Sequence, residues 1–536
     1  MGASAAADPA TATSEARVAQ RARWRAEGWY PDLTIGQACE VAARAVPGAR
    51  TTFATSDREV TVTRRELHER ARRVAGGLAA DGLAPGEVAL VQAPATVEST
   101  IALEALWLAG AVVVPVVAVA GASDVAAIAA RCRPTTVVVP AGTEPRDLVA
   151  GAIGLGADRV VVVDGEDERA TSLRDLEAHD PLTALPPVDP ASVACIIYTS
   201  GSTAAPKGVL HSHETLLAGY QPPGGDDVGA ALMTFPAGHI ASVLGLVRPL
   251  TAGGTAVIMD RWSPRRAVEL IEAHRVLSSA GTPFYLGTLL DEAERSGRDI
   301  SSLKLFLVGA ASVPPALVER AEAAGILTWR TYGSTEHPAI STGVVTDPVE
   351  HRVRTDGRPG PGNEVRIVDE EGRDLPVGEE GEVLARGPRQ LLGYDDPELD
   401  ALAFTGESWF RTGDVGRLDE AGYLTITDRK KDIVIRGGEN ISAKEVEDVL
   451  ATHPGVAEVA VCAGPDEVWG ERVVAFVRAR EGWHLALDDL RDHVLAAGLA
   501  PHKAPEQLEV VEDLPRTATG KVLKTALRER LRAASA

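Results

Sequence analysis

Between about residues 50 and 340, short strand-like runs alternate with helix-like segments, and few folds accommodate that order. The strand-like runs are rich in valine and isoleucine, and the segments between them repeat alanine, leucine, glutamate and arginine at helical spacing. This alternation is typical of helices layered on a largely parallel sheet, so an α/β fold is predicted. The predicted strands are 87–91, 112–117, 136–139, 159–163, 256–259, 304–308 and 326–330, and the predicted helices are 64–79, 263–273 and 314–324.

The pattern changes twice towards the C-terminus. Between about residues 341 and 428, short strands such as 381–386 are separated by glycine and proline turns, which favours a small antiparallel β subdomain. After the charged cluster 428–432, strands and helices alternate again over about a hundred residues, enough for an independent α+β domain. The predicted divisions are a flexible or helical extension at 1–30, an N-terminal domain at 31–428, a hinge at 429–432 and a C-terminal domain at 433–536.

Size, charge and cysteine content exclude several functional classes. The 536 residues are 45% hydrophobic and 24% charged, so the chain can bury a large core divided among domains. A formal charge of −22 argues against a nucleic-acid-binding surface, because phosphate contacts require clustered lysine and arginine. The four cysteines, Cys39, Cys132, Cys195 and Cys462, are widely separated and lack metal-ligand spacing. A zinc site is not expected, and a reducing cytoplasm is the simplest setting.

Neither a secretory signal nor a membrane span is expected. Small residues at the N-terminus are followed by a charged stretch, without the apolar core of a signal peptide between them. Residues 105–123 carry no charge and are nearly long enough to cross a bilayer, but alanine, valine and glycine dominate them and Pro115 interrupts a valine run. A helix that leads into a buried strand explains this segment better.

Residues 198–208, with the sequence YTSGSTAAPKG, combine hydroxyls, glycines and one lysine directly after the apolar strand 193–198. Glycine lets the backbone approach a ligand, serine and threonine donate to phosphate oxygens, and Lys207 supplies a positive charge. The segment differs from the GxxxxGK[ST] loop of kinases and GTPases, because Lys207 follows Pro206 and Gly208 replaces the metal-binding hydroxyl. A polyphosphate site is predicted, and an ordinary turn between strand and helix is the alternative.

Three further segments carry groups suited to a nucleotide. The sequence WRTYGSTE at 329–336 follows a predicted strand and offers an aromatic ring, hydroxyls and a carboxylate where doubly wound sheets bind ligands. Asp414 ends the sequence WFRTGD, and its carboxylate can accept hydrogen bonds from ribose hydroxyls. Lys521 follows a glycine turn in PRTATGK. Taken singly, these segments could equally be a turn, a surface carboxylate and the start of a capped helix.

Taken together and in order, these segments resemble the adenylate-forming superfamily, which includes acyl-CoA synthetases, aryl-CoA ligases, peptide-synthetase adenylation domains and luciferases. The resemblance runs from about residue 50 to 530 and looks closest to medium-chain, cyclohexanecarboxylate and aryl-CoA ligases. It implies a large N-terminal domain of layered α/β sheets with a small β subdomain, and a small mobile α+β C-terminal lid domain. The segments that carry it are YTSGSTxxPKG, YGSTE, WFRTGD, GYLTITDRKKDIVIRGGENIS and LPRTATGK.

The resemblance also implies an activity and its cofactors. A carboxylic acid would be activated by ATP to an acyl-adenylate with release of pyrophosphate, and the acyl group would then pass to the thiol of CoA, leaving AMP. The implied cofactors are ATP, Mg²⁺ and CoA. The expected partners are these small molecules and the acid, with no nucleic acid, no transmembrane segment and a homodimer as the candidate assembly.

Each residue that matches a family motif receives an implied role. Catalytic roles fall to Lys521, to Thr335 at the α-phosphate, to Glu336 as the Mg²⁺ ligand, and to His239 at the mouth of the pocket, although a histidine in an apolar stretch is more often a core residue. Lys431 would be the hinge residue. The residues expected to bind ATP phosphates are Thr199, Ser200, Gly201, Ser202, Thr203 and Lys207; those expected around adenine, ribose and the acyl group are Tyr332, Gly333, Gly309, Ala310, Ala311, Asp414 and Arg429; and those expected along the pantetheine path are Gly437 and Gly438.

The acid and the acceptor stay open at this point. Small residues around the expected pocket leave room for a ring or a medium-length chain, and His337 either hydrogen-bonds a polar substituent or packs beneath Pro338. CoA is favoured because no carrier domain follows the Lys521 segment; a carrier-protein thiol, an amine or nitrite are the alternatives, and a catalytically inactive nucleotide sensor is the alternative from another class. Ala204–Ala205 and Lys524 depart from the common family pattern without bearing on ATP use.

Overall fold

The computed structural model describes residues 9–56, 58–141, 147–200, 206–224, 229–517 and 519–535. Its helices, in chain order, are α1 (Pro9–Ala26), α2 (Ile35–Ala45), α3 (Arg64–Ala80), α4 (Val97–Leu108), α5 (Ala122–Cys132), α6 (Leu148–Gly154), α7 (Leu173–Glu177), α8 (His213–Leu216), α9 (Ile240–Ala252), α10 (Pro264–His274), α11 (Pro283–Ser296), α12 (Pro315–Ala323), α13 (Val349–Arg354), α14 (Pro397–Ala403), α15 (Ala443–Leu450), α16 (Leu487–Ala496) and α17 (Lys524–Ser535).

The strands, in chain order, are β1 (Arg50–Ala54), β2 (Glu59–Thr63), β3 (Val88–Gln92), β4 (Val112–Val116), β5 (Thr136–Val139), β6 (Arg159–Val162), β7 (Thr171–Ser172), β8 (Val193–Ser200), β9 (Pro206–Ser212), β10 (Ala231–Met233), β11 (Ala256–Met259), β12 (Ser278–Gly281), β13 (Leu305–Gly309), β14 (Leu327–Tyr332), β15 (Ser341–Thr342), β16 (Arg358–Pro359), β17 (Glu364–Val368), β18 (Gly381–Arg386), β19 (Gly393–Tyr394), β20 (Phe410–Leu418), β21 (Leu424–Arg429), β22 (Val434–Arg436), β23 (Glu439–Ile441), β24 (Val456–Asp466), β25 (Gly470–Ala479) and β26 (Gln507–Val510).

Two large sheets build the N-terminal part of the molecule. The first has the order β16-β15-β14-β13-β12-β10-β11-β1-β2, with parallel pairing from β14 through to β1. The second has the order β19-β9-β8-β4-β3-β5-β6-β7 and is parallel except at the β8–β9 and β9–β19 pairs. The alternation seen in the sequence therefore forms a pair of mostly parallel sheets, with antiparallel pairing at both edges of the first sheet and at the β19 edge of the second.

Helix α4 packs on β4 of the second sheet, and α2 and α3 pack against α4. The N-terminal ends of all three helices are fixed by capping boxes. Thr63 and Glu66 form a capping box that starts α3, in which each side chain accepts a hydrogen bond from the other residue's backbone N–H. The indole of Trp107 on α4 donates to the carbonyl of Ala194 on β8 at 3.3 Å. All of β4 is buried, so the uncharged segment 105–123 is the end of a helix followed by a buried strand, as predicted. Within the described ranges, no helix has the length and apolar character needed to cross a membrane.

The smaller parts of the chain also follow the predicted pattern. The sheet β17-β18-β20-β21 is antiparallel and accounts for the glycine-rich and proline-rich middle segment. The C-terminal sheet has the order β23-β22-β25-β24, with β26 parallel to β25, and helices α15 and α17 pack on β24. Gly437 and Gly438 join β22 to β23 in a two-residue turn at φ values of +57° and +92°, a backbone conformation that suits glycine.

Helix α1 is packed against the body of the molecule. Trp24 is only 3% exposed. The Arg17 guanidinium lies 2.8 Å from Asp400 on α14 and 4.4 Å from the ring centre of Phe404. Arg25 donates two hydrogen bonds of 2.8 Å to Glu214 on α8. The described part of the N-terminal extension is thus a docked helix that joins α8 to α14.

Candidate active site

Four residues at the end of the β8–β9 hairpin hold the expected phosphate loop at both sides. Tyr198 pairs with Gly208 and Thr199 pairs with Lys207 in the antiparallel register, and we call these four residues the loop stems. The predicted phosphate ligands Gly201, Ser202 and Thr203 lie outside the described residues, as do Ala204 and Ala205, and Ser200 is described only as the last residue of β8. The loop stems are therefore the part of the predicted phosphate site that the structure describes.

Tyr332, Asp414 and Arg429 meet at the junction of the first sheet and the β subdomain. The Tyr332 hydroxyl, at the end of β14, donates to Asp414 Oδ2 at 2.6 Å. Asp414 on β20 and Arg429 on β21 are cross-strand partners, and Arg429 Nε lies 3.0 Å from Asp414 Oδ1. Burial raises the pKa of Tyr332, and the neighbouring Asp414 charge raises it further. Oδ2 accepts a hydrogen bond from Tyr332 and Oδ1 forms an ion pair with Arg429, and a carboxylate with two oxygens has lone pairs left for a ligand hydroxyl.

Thr335 and Glu336 follow β14 and are fixed by two residues that the sequence did not single out. His211 Nε2 lies 2.8 Å from the Thr335 carbonyl oxygen, so the ring donates there. The Tyr394 hydroxyl donates to Glu336 Oε1 at 3.0 Å. The segment is thereby held with its carboxylate beside the end of β19.

Glycine is required at two positions at the ends of β13 and β14, because neighbouring backbone lies too close to leave room for a side chain. A Cβ on Gly309 would lie 2.5 Å from the Thr331 carbonyl oxygen, and one on Gly333 would lie 2.5 Å from the Ala339 nitrogen. Ala310 has a φ of +64°, a conformation that costs a non-glycine residue on the order of 1–3 kcal/mol and is found most often at functional sites. These three predicted pocket residues lie at the C-terminal ends of the neighbouring strands β13 and β14.

His239 is the N-cap residue of α9, where its Nδ1 accepts the Ala241 N–H at 3.2 Å. Its ring stacks on Phe235, with ring centres 5.6 Å apart. Burial lowers the pKa of His239 to about 4, and the charge of Lys521 lowers it further. His239 is therefore a neutral, capping imidazole that faces Lys521.

The Lys521 segment rests on the N-terminal part of the molecule. Arg516 lies over the Phe284 ring at 4.7 Å and donates to the Gly520 carbonyl at 2.8 Å, and Gly520 itself packs against Phe284. Burial lowers the pKa of Lys521 to about 8, and the positive charges of Arg429 and Lys431 add to this effect. The C-terminal domain thus holds Lys521 close enough to Arg429 and Asp414 for their charges to act on its ammonium group.

Lys431 lies in the hydrogen-bonded turn that follows β21. The Arg429 carbonyl accepts the N–H groups of Asp432 at 2.8 Å and Ile433 at 3.2 Å. Arg528 on α17 donates to the Lys431 carbonyl at 3.2 Å and pairs with Asp432. The turn that contains Lys431 is therefore tied to the C-terminal domain. Gly437 and Gly438, in the turn between β22 and β23, are both exposed, and Gly437 lies against the Trp469 ring.

Of the two alternatives that the sequence left for His337, the structure agrees with the packed one. His337 is fully buried, and its Nε2 lies 3.3 Å from Asn363 Oδ1. The ring is enclosed by protein atoms, which is the arrangement of a packing residue. The physical reason is the close passage of Gly333 over the 337–339 backbone, which turns the His337 side chain into the core.

Comparison with known proteins decides the family. The AMP-binding enzyme family matches residues 39–395, which is more than half of the chain, and the AMP-binding enzyme C-terminal domain matches residues 445–521. The chain belongs to the AMP-binding enzyme family. The resemblance and the α/β fold class predicted from the sequence are confirmed.

Relatives of this AMP-binding enzyme are ligases and synthetases. The medium-chain fatty-acid–CoA ligase of Escherichia coli (strain K12) is 32% identical over 529 residues, 95% of this chain and 92% of that protein. The amide bond synthetase of Marinactinospora thermotolerans has a TM-score of 0.80 at 28% identity, covering 93% of this chain and 100% of that one. The o-succinylbenzoate CoA synthetase of Bacillus subtilis, solved with its acyl-adenylate intermediate, has a TM-score of 0.78 at 25% identity, covering 92% and 97%. The predicted AMP-forming ligase is confirmed as the enzyme class.

The Glu336 carboxylate of this AMP-binding enzyme fits a Mg²⁺ ion shared with a nucleotide. In the described part of the chain, Tyr394 is the hydrogen-bond donor to this carboxylate, and it contacts Oε1. Among the residues that the structure describes, no group of three or more His, Cys, Asp or Glu side chains could hold a metal by itself. Mg²⁺ in phosphoryl-transfer sites is bound by one or two carboxylates together with substrate phosphates and water, so a single carboxylate is sufficient.

Buried neutral histidines make the stability of this AMP-binding enzyme sensitive to acid. Burial lowers the pKa of His211 and His213 to about 4 and that of His337 to about 3, against about 6.5 when unfolded. The unfolded chain binds more protons between these values, so we expect stability to be complete above about pH 6.5 and to fall by up to about 1.4 kcal/mol per pH unit for each histidine below it. Urea unfolding at pH 7.5 and 5.5 measures the loss.

A pair of variants isolates this effect. His213→Gln keeps an acceptor for the Ile35 N–H, which His213 Nδ1 now accepts at 3.2 Å, and should flatten the pH dependence of the unfolding free energy. His484→Gln, at an exposed position, is the control and should leave the pH dependence unchanged. Identical slopes for the two variants would contradict the assignment.

Proposed function

We propose that this protein activates a carboxylic acid with ATP, forming an acyl-adenylate and pyrophosphate, and then transfers the acyl group to the thiol of CoA with release of AMP. The observation that carries the proposal is the contact cluster of Tyr332, Asp414 and Arg429, whose charged members act on Lys521. Glu336 lies in the segment that follows β14, four residues beyond Tyr332. ATP and Mg²⁺ use is that of the family, and CoA is the second substrate of its CoA ligases.

The nucleotide is bound by groups from three elements. Tyr332, held by its hydroxyl on Asp414, presents its ring to adenine, and Asp414 and Arg429 bind the ribose hydroxyls. Lys207 and Thr199 on the loop stems bind the β- and γ-phosphates together with the loop that they flank. Glu336 would hold a Mg²⁺ ion, which would neutralise charge on the phosphates.

Lys521 serves the reacting atoms. In the first half-reaction a carboxylate oxygen forms a bond to the α-phosphorus of ATP while the bond from that phosphorus to the bridging oxygen of pyrophosphate breaks. Negative charge gathers on groups that already repel one another, and an ammonium group placed between the carboxylate and the α-phosphate stabilises that arrangement. The Thr335 hydroxyl contacts the α-phosphate. His239, which is neutral, closes the pocket without adding charge.

The second half-reaction needs room for a thiol. A cavity of about 330 Å³ lies between the N-terminal part and the C-terminal loop, with Val117, Trp262, Phe284, Thr517 and Gly520 among its walls. Because Thr517 and Gly520 belong to the Lys521 segment, rotation of the C-terminal domain about the turn at 429–432 would widen this cavity. We assign it to the path of the incoming thiol, with Gly437 and Gly438 moving up to line it.

The acid that fits best has an apolar body. The predicted pocket residues Gly309, Ala310 and Gly333 carry no charge, and His239, expected at the pocket mouth, stacks on the apolar ring of Phe235. With His337 buried, Gly309, Ala310 and Gly333 supply no side chain for a polar substituent. An aromatic, alicyclic or medium-chain acid is therefore the proposed substrate class.

An amine acceptor is the second candidate, because a solved structure of similar fold is named an amide bond synthetase. A carrier-protein thiol or nitrite would use the same adenylate. We also propose a cytoplasmic location, a homodimeric assembly and a division of the chain into an N-terminal domain at 31–428, a hinge at 429–432 and a C-terminal domain at 433–536.

A panel of carboxylic acids tests the function. Pyrophosphate release should appear with at least one apolar acid in the absence of CoA, and CoA should raise AMP formation severalfold by turning the adenylate over. Pyrophosphate release that is indifferent to CoA but stimulated by an amine would replace CoA with the second candidate. No release with any acid would contradict the proposal.

A further inference from the structure

One carboxylate joins the two strands of the hairpin at the base of the phosphate loop. Asp395 Oδ2 accepts the Tyr198 hydroxyl at 2.8 Å, and Asp395 Oδ1 accepts the Gly208 N–H at 2.9 Å. Tyr198 and Gly208 are cross-strand partners, directly next to Thr199 and Lys207. The Asp395 side chain therefore fixes the spacing of the loop stems from outside the hairpin.

Arg131 neutralises this carboxylate. Its Nε donates to Asp395 Oδ2 at 2.8 Å and its Nη2 donates to Oδ1 at 2.9 Å, a two-pronged pair whose carboxylate side chain is only 13% exposed. Burial would raise the pKa of Asp395, but the hydrogen bonds from Arg131, Gly208 and Tyr198 outweigh it and lower the pKa. An aspartate would otherwise repel the anion that the adjacent loop binds, so the two residues act as one neutral unit.

The same carboxylate explains a glycine in the sequence. A Cβ on Gly208 would lie 2.7 Å from Asp395 Cγ, so any side chain there would displace Asp395. In the GxxxxGK[ST] loop this position carries a metal-binding hydroxyl. Here the space is filled by the group that holds the stems.

The neighbour of Asp395 extends the connection to the metal-binding carboxylate. Tyr394 pairs with Val209 across β19 and β9, and its hydroxyl holds Glu336. Its own N–H donates to Asp400 at 2.8 Å. Two consecutive residues thus join the loop stems to Glu336.

We propose that Asp395, neutralised by Arg131, is a positioning residue that sets the loop stems so that Lys207 and Thr199 face the β- and γ-phosphates of ATP. The inference rests on the proposed function for the identity of the ligand. AMP lacks both of these phosphates, so its affinity should be independent of Asp395.

Calorimetric titration of the full-length protein with MgATP and with AMP tests the inference without any acid substrate. Asp395→Asn should weaken MgATP binding roughly tenfold to hundredfold, as expected for lost charge-assisted hydrogen bonds, and change AMP binding less than twofold. Tyr198→Phe, which removes one hydrogen bond and no charge, should weaken MgATP roughly two- to tenfold. Glu177→Gln is the matched control, because Glu177 forms a similar two-pronged pair with Arg70, at 2.7 and 3.0 Å, away from the stems; it should change neither affinity.

The ion pair between Arg131 and Asp395 allows a second test. Arg131→Gln leaves the Asp395 carboxylate uncompensated and should weaken MgATP binding more than AMP binding. The double variant Arg131→Gln with Asp395→Asn removes that charge and should bind MgATP more tightly than Arg131→Gln alone. If Asp395 had a purely structural role, the double variant would bind MgATP more weakly than Arg131→Gln alone.

The outcomes are separable from those of the proposed function. Equal weakening of MgATP and AMP in Asp395→Asn, or unchanged MgATP binding in a folded variant, would overturn the positioning role. If no acid supports pyrophosphate release while MgATP and AMP still respond differently, the proposed activity fails and the positioning role stands.

Discussion

Lys521→Ala is expected to reduce acyl-adenylate formation on the order of 10² to 10³-fold, the cost of removing one preorganised charge from a water-excluded site. The variant removes the ammonium group that faces the carboxylate and the α-phosphate but leaves Tyr332, Asp414 and Arg429 in place. MgATP affinity should therefore stay within a few-fold of wild type. Acid-dependent exchange of labelled pyrophosphate into ATP measures the first quantity, and calorimetric titration measures the second.

Two controls make this result specific. Lys503→Ala removes another lysine of the C-terminal domain, one paired with Glu445 at 2.6 Å, and should leave exchange unchanged. Because burial lowers the pKa of Lys521 to about 8, wild-type exchange measured at subsaturating MgATP should fall as the pH rises above 8, whereas Lys521→Arg should lose this alkaline limb. Full exchange activity in Lys521→Ala would contradict the role given to Lys521.

Lys431→Pro is expected to separate the two half-reactions. The turn seen here is closed by hydrogen bonds from Asp432 and Ile433 to the Arg429 carbonyl, and neither uses the Lys431 N–H that proline removes. Rotation of the C-terminal domain requires new backbone angles at this position, and proline fixes φ. A cost of about 3 kcal/mol in the rotated arrangement would slow acyl transfer to CoA roughly 100-fold, with adenylate formation nearly unchanged.

Single-turnover experiments measure the two steps separately, with adenylate trapped first and CoA added second. Lys431→Ala keeps the backbone free and serves as the control, since it should transfer the acyl group at close to the wild-type rate. Loss of both half-reactions by the same factor in Lys431→Pro would argue against a hinge and for a local distortion of the Arg429 turn.

Much of the fold was predictable because the strands are marked by local composition. Strands β5, β11 and β18 have the predicted limits of 136–139, 256–259 and 381–386, and the other predicted strand and helix ends lie within one or two residues of the observed ones. Short apolar runs that contain valine or isoleucine, next to proline, glycine or charged residues, mark these strands without reference to distant contacts. Strand β9 escaped prediction because it begins with Pro206 and Lys207 and contains His211, so only pairing with β8 and β19 makes it a strand.

The site was predictable where motif residues themselves touch the ligand, and less so where residues act through others. Tyr332, Asp414 and Lys521 come together from segments that the sequence marked. Asp395 and Arg131 lie 264 positions apart, and no local pattern indicates that they pair. His337 was left with two alternatives for the same reason, since a histidine next to the predicted metal ligand Glu336 carries no signal of which way the backbone turns its side chain.

Lys521, Arg429 and Lys431 bring like charges close together when the C-terminal domain is closed over the site. With no nucleotide present, their mutual repulsion favours an open domain, and the phosphates of ATP relieve it. Pyrophosphate then carries away most of that negative charge, leaving an adenylate with a single phosphate. We therefore expect the crowding of positive charge to set the order of events, drawing the domain shut when ATP arrives and releasing it at the moment when the thiol must enter.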